Sequence, residues 1–178
     1  MKKYLQKKDI FFHAHVSGSP AVVIKTEGKE VPETTLLEAA QFTVSYSSIW
    51  KSGQVSGDAY WVLPEQVSKT PESGEYVAKG AFVIRGKRNY FKDIMLGTAL
   101  GLELGEEKRL IGGPLGAVKK TAQFIMEVLP GEFNQNDISK KIYRILNEKF
   151  EDKKLIKMIA SPDRIAMFLP AGSSSIKE

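Results

Sequence analysis

Cysteine is absent from the 178 residues of this chain. That excludes disulfides, thiolate nucleophiles and cysteine-ligated zinc. No apolar run approaches the ~18 residues that a membrane-spanning helix needs. The lysine-bearing start, "MKKYLQKKD", is followed by no apolar stretch of the kind a secretory signal carries. No membrane partner is expected, and the cytoplasm is the expected location. Histidine is scarce, with two in the chain, His13 and His15. Apolar residues make up 42%, enough for a packed core and against a disordered chain. The net charge of +5 permits a polyanionic partner without demanding one.

"DIFFHAHVSGSPAVVIK" sets two β-branched and aromatic runs around Ser17-Gly18-Ser19-Pro20, and it reads as strand, tight loop, strand. Pro20 suits the first position of the second strand, where a missing N–H matters least. "TLLEAAQFTVSYSSIW" predicts a helix from about Thr35 to Trp50. Thr35 and Glu38 form a capping box, and Leu36, Ala40, Val44 and Ser47 recur at helical spacing. Its small residues, Ala39, Ala40, Ser45, Ser47 and Ser48, would let it lie close on a sheet, with Gly53 just beyond its end. "DAYWVLP" is a strand closed by Pro64, and "AFVIRG" is the next. Strands near residues 10–16, 58–63 and 80–85 are expected to share one sheet under the helix. The long polar segment from Glu65 to Gly80 has the length of a functional loop.

From residue 92 the texture changes. "IMLGTALGLEL", "RLIGGPLGAVKKT" and "AQFIMEVLPG" read as strands separated by glycine turns. "NQNDISKKIYRILNEKF" is an amphipathic helix with Ile138, Ile142, Ile145 and Leu146 on one face. "SPDRIAMFLP" predicts a short helix capped by Ser161, with Pro162 at its first position and Pro170 as its stop. "AGSSSIKE" reads as a tail. Strands and helices do not alternate strictly, so the expected class is α+β, a mixed or antiparallel sheet flanked by helices. Residues 1–92 form the expected core unit, and 93–178 a continuation of the same body.

Most candidate chemistry is weak. His13 and His15, at i and i+2, share a face on a strand, but they lack a third ligand, so no metal site and no cofactor are expected. "SGSP" lacks the GxSxG elbow of a serine nucleophile, and no catalytic residue is nominated. "GGPLGAVKK" puts glycines before lysines but lacks GxxxxGK[ST], so a turn between strands is the better reading. Tyr60 and Trp61 fall on opposite faces of their strand. One of them, with Trp61 as the candidate, could offer a stacking platform for a base.

"GAFVIRGKRNYF" carries the strongest signal. Phe82, Val83 and Ile84 read as strand, and Arg85, Lys87 and Arg88 then cluster around Gly86. Strand alternation would aim Arg85 and Lys87 to one side. Gly86 adds no side chain, and Arg88 and Asn89 add planar donors. Arginine forks match phosphate bidentately, while lysine supplies a point charge. A solvated strand end is the competing reading.

Three of these stretches, "DIFFHAHVSGSPAVVIK", "TLLEAAQFTVSYSSIW" and above all "AYWVLPEQVSKTPESGEYVAKGAFVIRGKRNYF", together resemble the NFACT-R domain. This is the RNA-binding module of a family that includes NEMF and the fibronectin-binding-protein-A-like factors. "QVSKT", "SGEY" and "IRGKRNY" stand at the family's spacing. Phe11 stands where the family usually has Trp, Pro20 where it has His after Gly-Ser, and Glu65 where His commonly precedes the glutamine. The N-terminal domain, helix-hairpin-helix elements and coiled coil of full-length members are not in this sequence, which is expected to be an isolated module. The resemblance implies a binder, not an enzyme, taking structured RNA of the large ribosomal subunit or tRNA during ribosome quality control; DNA stays open as a second ligand. The nucleic-acid residues that the resemblance implies are Ser17, Gly18, Ser19, Gln66, Ser68, Lys69, Arg85, Gly86, Lys87 and Arg88; the stacking platform and the planar donors add Trp61 and Asn89 as candidates. Two other readings stay open: an enzyme for a nucleotide or phospho-metabolite, which needs a deep pocket joining His13 or His15 to Arg88, and a protein-interaction module.

Overall fold

The computed structural model describes residues 4–177. The class is α+β, with antiparallel pairing throughout the described sheets. The first sheet has the order β2-β1-β3-β6. It is built from β1 (Ile10–Ala14), β2 (Val22–Ile24), β3 (Ser56–Val62) and β6 (Asn89–Met95). A separate two-stranded ribbon pairs β4 (Val67–Ser68) with β5 (Val83–Ile84). The second sheet has the order β10-β9-β7-β8, from β7 (Thr98–Leu104), β8 (Lys108–Gly113), β9 (Phe124–Phe133) and β10 (Ser174–Ile176). Among the described residues no helix is long and apolar enough to cross a membrane.

Helix α1 (Glu33–Ser45) lies across β1, β3 and β6. Its buried positions, Ala40, Thr43, Val44 and Ser45, are small or β-branched, which allows the close approach. The expected Thr35–Glu38 capping box does not form. Pro32 occupies the cap, and its carbonyl accepts the N–H groups of Thr35 (3.0 Å) and Leu36 (3.2 Å). With φ already fixed near the helical value by the ring, the chain turns two residues earlier than expected, and Thr35 lies inside the helix. The other end also falls short of Trp50. The Ser47 hydroxyl donates to the Val44 carbonyl and accepts the Ile49 N–H, ending α1 and opening a 3-10 turn over Ser48–Ser52.

Four further expectations are corrected. Pro20 precedes β2 by two residues rather than opening it. Residues 80–85 do not join the first sheet, because β5 pairs with β4 while the place beside β3 goes to β6. "GGPLGAVKK" is not a bare turn: Gly112 and Gly113 finish β8, and Pro114 opens the short helix α2 (Leu115–Val118). The terminal segment is not a tail, since β10 pairs with β9 from Ser174↔Pro130 to Ile176↔Val128. Helix α3 (Gln135–Lys149) buries Ile138, Ile142 and Leu146 as expected, and Asn134 caps it through the Asp137 N–H (2.9 Å). Between α3 and α5 (Pro162–Ala166) lies a helix that sequence reading missed, α4 (Lys153–Ile159), capped by Asp152.

The largest core cluster runs through both sheets. It joins Phe12, Val44 and Trp50 to Leu100, Leu102, Val128, Ile142 and Ile165. Trp50 is 2% exposed, and its indole N–H donates to the Ser173 carbonyl (3.1 Å) and the Ser174 hydroxyl (3.2 Å). Tyr46 likewise donates to the Phe168 carbonyl. Gly101 lets α2 approach β7: a Cβ there would stand 2.6 Å from both Ala122 Cβ and Val118 Cγ1.

Candidate nucleic-acid interface

The first sheet has two faces, and α1 covers one. On β1, β3 and β6 every second residue points to the other face. Register sets His13 opposite Tyr60, and Tyr60 opposite Tyr90. The β4–β5 ribbon and the residue before it cover one half of this face, where Phe82, Ile84 and Val67 pack on Phe11, Tyr60 and Val62. Phe82 meets the Phe11 and His13 rings edge-on at 5.1 and 5.5 Å. The other half is uncovered.

From the edge of the covered half out onto the open half the rings form a row. His13 and Tyr60 are 6.0 Å apart, Tyr60 and Tyr90 5.5 Å, and His15 and Tyr90 5.6 Å, centroid to centroid. The Tyr90 hydroxyl and His15 Nδ1 share a hydrogen bond of 3.1 Å. Two cations lie over the rings: the Arg88 guanidinium 4.7 Å from the Tyr60 centroid and the Lys92 ammonium 4.5 Å from that of Tyr90. Such contacts are weak where solvent reaches them, but they hold long side chains against the rings. His13, Ala14, His15, Ser17, Tyr60 and Arg88 bound a shallow cavity of about 350 Å³. It continues past His15 and Val16 into a larger hollow, about 630 Å³, walled by Gly53–Asp58 and Asp93.

The charges are individually placed. Burial lowers the pKa of His13, as does the nearby Arg88 charge, against the opposing bond to Ala14. Its Nδ1–H donates to the Ala14 carbonyl at 2.7 Å, so in the neutral ring Nε2 is the acceptor. The Asp58 carboxyl is held below the usual range by Lys92 (2.9 Å) and by the Asp93 N–H (2.9 Å). That last bond sits at an irregularity in the β3–β6 register, where Asp93 takes φ 53. Among the described residues no group of three or more His, Cys, Asp or Glu side chains is placed to hold a metal ion.

The residues nominated from sequence separate into groups. Ser17 and Arg88 come together at the cavity, and Lys87 is exposed beside it in sequence. Arg85 does not join them. Its guanidinium is bound to Glu75 (2.7 Å) and Glu72 (3.3 Å), which raises its pKa and depresses that of Glu75. The division occurs at Gly86, whose φ of +76 favours glycine and turns the chain out of β5. Alternation therefore does not carry from Arg85 to Lys87. Gln66 braces the turn: its amide donates to the carbonyls of Arg85 and Lys87, both at 2.8 Å, and its Oε1 accepts the Leu63 N–H. Asn89 donates to the Trp61 carbonyl (3.2 Å), and Trp61 itself packs against the main core on the α1 side. In the loop after β1, the Ser19 hydroxyl accepts the Ala14 N–H, while Ser48 binds the Ser17 and Gly18 carbonyls. Ser68 bonds locally to Thr70, and Lys69 is exposed on the ribbon. Tyr90 and Lys92 were not among the nominated residues; their strand-alternate spacing behind Arg88 was the available signal.

An open β-sheet face bearing rings and cations is the kind of surface on which proteins receive RNA. Residues 1–86 match the family model described as the NFACT protein RNA binding domain, and they belong to that family. The match ends at Gly86, so Lys87 and Arg88 follow directly after it. Over 179 aligned residues the chain is 42% identical to the archaeal Rqc2 homolog aRqcH of Methanocaldococcus jannaschii, covering 100% of this chain and 26% of that protein. It is 42% identical over 120 residues to the ribosome quality control complex subunit NEMF homolog of Drosophila melanogaster, covering 67% of this chain and 12% of that protein. Against the human ribosome quality control complex subunit NEMF it is 38% identical over 109 residues, 60% of this chain and 10% of that one. The chain thus spans about a quarter of the archaeal relative and about a tenth of the animal ones.

Proposed function

We propose that this chain is the RNA-holding part of a ribosome quality-control factor and that it receives RNA on the open half of its first sheet. One observation carries the placement. Lys87 and Arg88 make no ion pair among the described residues; Arg88 lies over a ring of the row, and both follow immediately after a segment that belongs to an RNA-binding family. Their charges are free for phosphate, whereas Arg85 and Lys92 already hold carboxylates. Structured RNA of the large ribosomal subunit and tRNA are the proposed ligands; the relatives' part in ribosome quality control supports the ribosomal side of that reading. The role is binding, without catalysis. A cavity does join His13 and His15 to Arg88, but it is shallow and open.

Binding of the purified chain to ribosomal RNA fragments, tRNA and DNA of matched sequence, over a series of salt concentrations, tests this reading. RNA affinity should fall linearly in log–log form as salt rises. A preference for RNA over matched DNA would mark contacts to the 2′-hydroxyl. No RNA binding even at low salt refutes the reading.

A further inference from the structure

The open half of the sheet offers stacking surfaces as well as charge. Tyr60 is 4% exposed beneath Arg88, but Tyr90 is 40% exposed and its hydroxyl is tied to the exposed His15. The His13, His15 and Tyr60 rings and the Arg88 guanidinium line a cavity of about 350 Å³, within the ~300–1,000 Å³ span of small-ligand sites, and the Tyr90 ring adjoins it, 5.6 Å from that of His15. Neighbouring bases cover both faces of a base within a duplex. Rings fixed on a sheet can stack only on a base that has left its helix.

We propose that this cavity takes one unpaired nucleobase of a single-stranded RNA segment, stacked on Tyr90 and His15, with the adjoining phosphate held by Arg88 and Lys87. The proposal rests on the RNA-binding reading and narrows it from RNA in general to RNA with an unstacked base, such as a loop or a strand end. His13 contributes from the wall. Its Nδ1–H is committed to the Ala14 carbonyl, which leaves Nε2 as an acceptor for an exocyclic amine. Burial and the Arg88 charge favour the neutral ring. Ser17 closes one side, its carbonyl held by the Ser48 hydroxyl.

The test uses fluorescence anisotropy with two labelled probes, a short single-stranded RNA and the blunt duplex of the same sequence. They are titrated with wild type, Tyr90→Ala, Tyr90→Phe and His15→Ala. Tyr90→Ala should weaken single-strand binding by about fivefold or more and leave duplex binding within about twofold. Tyr90→Phe, which keeps the ring, should retain most single-strand affinity. Tyr90 and His15 are exposed, so folding is expected to survive, and circular dichroism checks it. If Tyr90→Ala unfolds, the comparison of Tyr90→Phe with His15→Ala carries the test, and an unchanged His15→Ala overturns the proposal. Folded variants that bind the single strand as wild type does, or lose both probes equally, overturn the base site while leaving phosphate binding standing. A wild type that binds neither probe overturns both readings.

Discussion

Three cations lie within four residues at the end of β5, and they should not behave alike. Lys87→Ala and Arg88→Ala each remove an unpaired positive charge, so each should lower the salt slope of RNA binding by about 0.7–0.9 in log–log form. Over a fourfold rise in salt, one contact with that slope weakens about 2.6–3.5-fold, so the gap between wild type and variant should close by roughly threefold across the series. Arg85→Ala should leave the slope unchanged. Arg85 already faces two carboxylates, Glu75 at 2.7 Å and Glu72 at 3.3 Å, so its charge is not available to displace counterions. Its loss should also leave stability nearly unchanged, because solvent screens an exposed ion pair. Arg88→Lys separates charge from geometry. It should keep the slope but lose the planar stack on Tyr60 and some affinity. The assay is anisotropy titration against tRNA at four or more salt concentrations. If Arg85→Ala flattens the slope as much as Lys87→Ala does, Arg85 leaves its carboxylates to bind phosphate, and the sorting of the cluster by ion pairing is refuted.

Gly86→Ala should destabilise by about 1–2 kcal/mol, because φ +76 is strained for a residue with a Cβ, and that Cβ would crowd Gln66 Nε2 at 3.3 Å; an unchanged urea midpoint would contradict this. Asp9 is buried and held below its ordinary pKa: burial pushes it up, but Lys25 and the N–H groups of Gln6 and Thr26 together pull it further down. Its stabilisation is present above the unfolded value near pH 4 and lost as pH falls through the lower folded value, so Asp9→Asn should flatten the acid limb of a stability–pH curve. Removing residues 170–178 strips the acceptors from the buried Trp50 indole, at a cost of about 1–3 kcal/mol for the orphaned donor alone, and should lower the melting temperature. We further expect one calorimetric transition for the whole chain, since one core cluster spans both sheets; two separate transitions would make residues 1–92 and 93–178 independent units.

Elements with strong local pattern were legible. The β1–β2 pair, α1 and α3 follow from β-branched runs around a turn and from helical spacing, and α+β follows from their mixture. Two of the failures share one physical character, dependence on partners distant in sequence. "SSSI" carries almost no apolar pattern, and it becomes β10 because β9 presents an edge and Trp50 needs acceptors. Residues 83–84 look like any short apolar strand, but their partner is Val67–Ser68 rather than β3. The start of α1 turned on a competition between two local signals, Pro32 and the Thr35–Glu38 pair. The proline, which needs no hydrogen bond to hold its φ, set the boundary.

The site was half legible for the same reason. A run of three cations around a glycine is visible in one line of sequence, but which of them is free depends on Glu72 and Glu75 in the preceding loop. The ring row was hidden more deeply. Alternation assigns His13, Tyr60 and Tyr90 each to a face of its own strand, but nothing in the sequence says that the three faces coincide; that is a matter of register across β1, β3 and β6. Gly86 decides both questions at once. By turning the chain out of β5 it leaves Arg85 with the acidic loop and delivers Arg88 onto Tyr60, at the head of the strand that carries Tyr90. Without that turn, continued alternation would set Arg85 and Lys87 side by side on the ribbon, and the cations would stand apart from the rings. The glycine is thus the residue that converts a basic strand end into a surface combining charge with stacking. Its replacement should impair RNA binding through geometry.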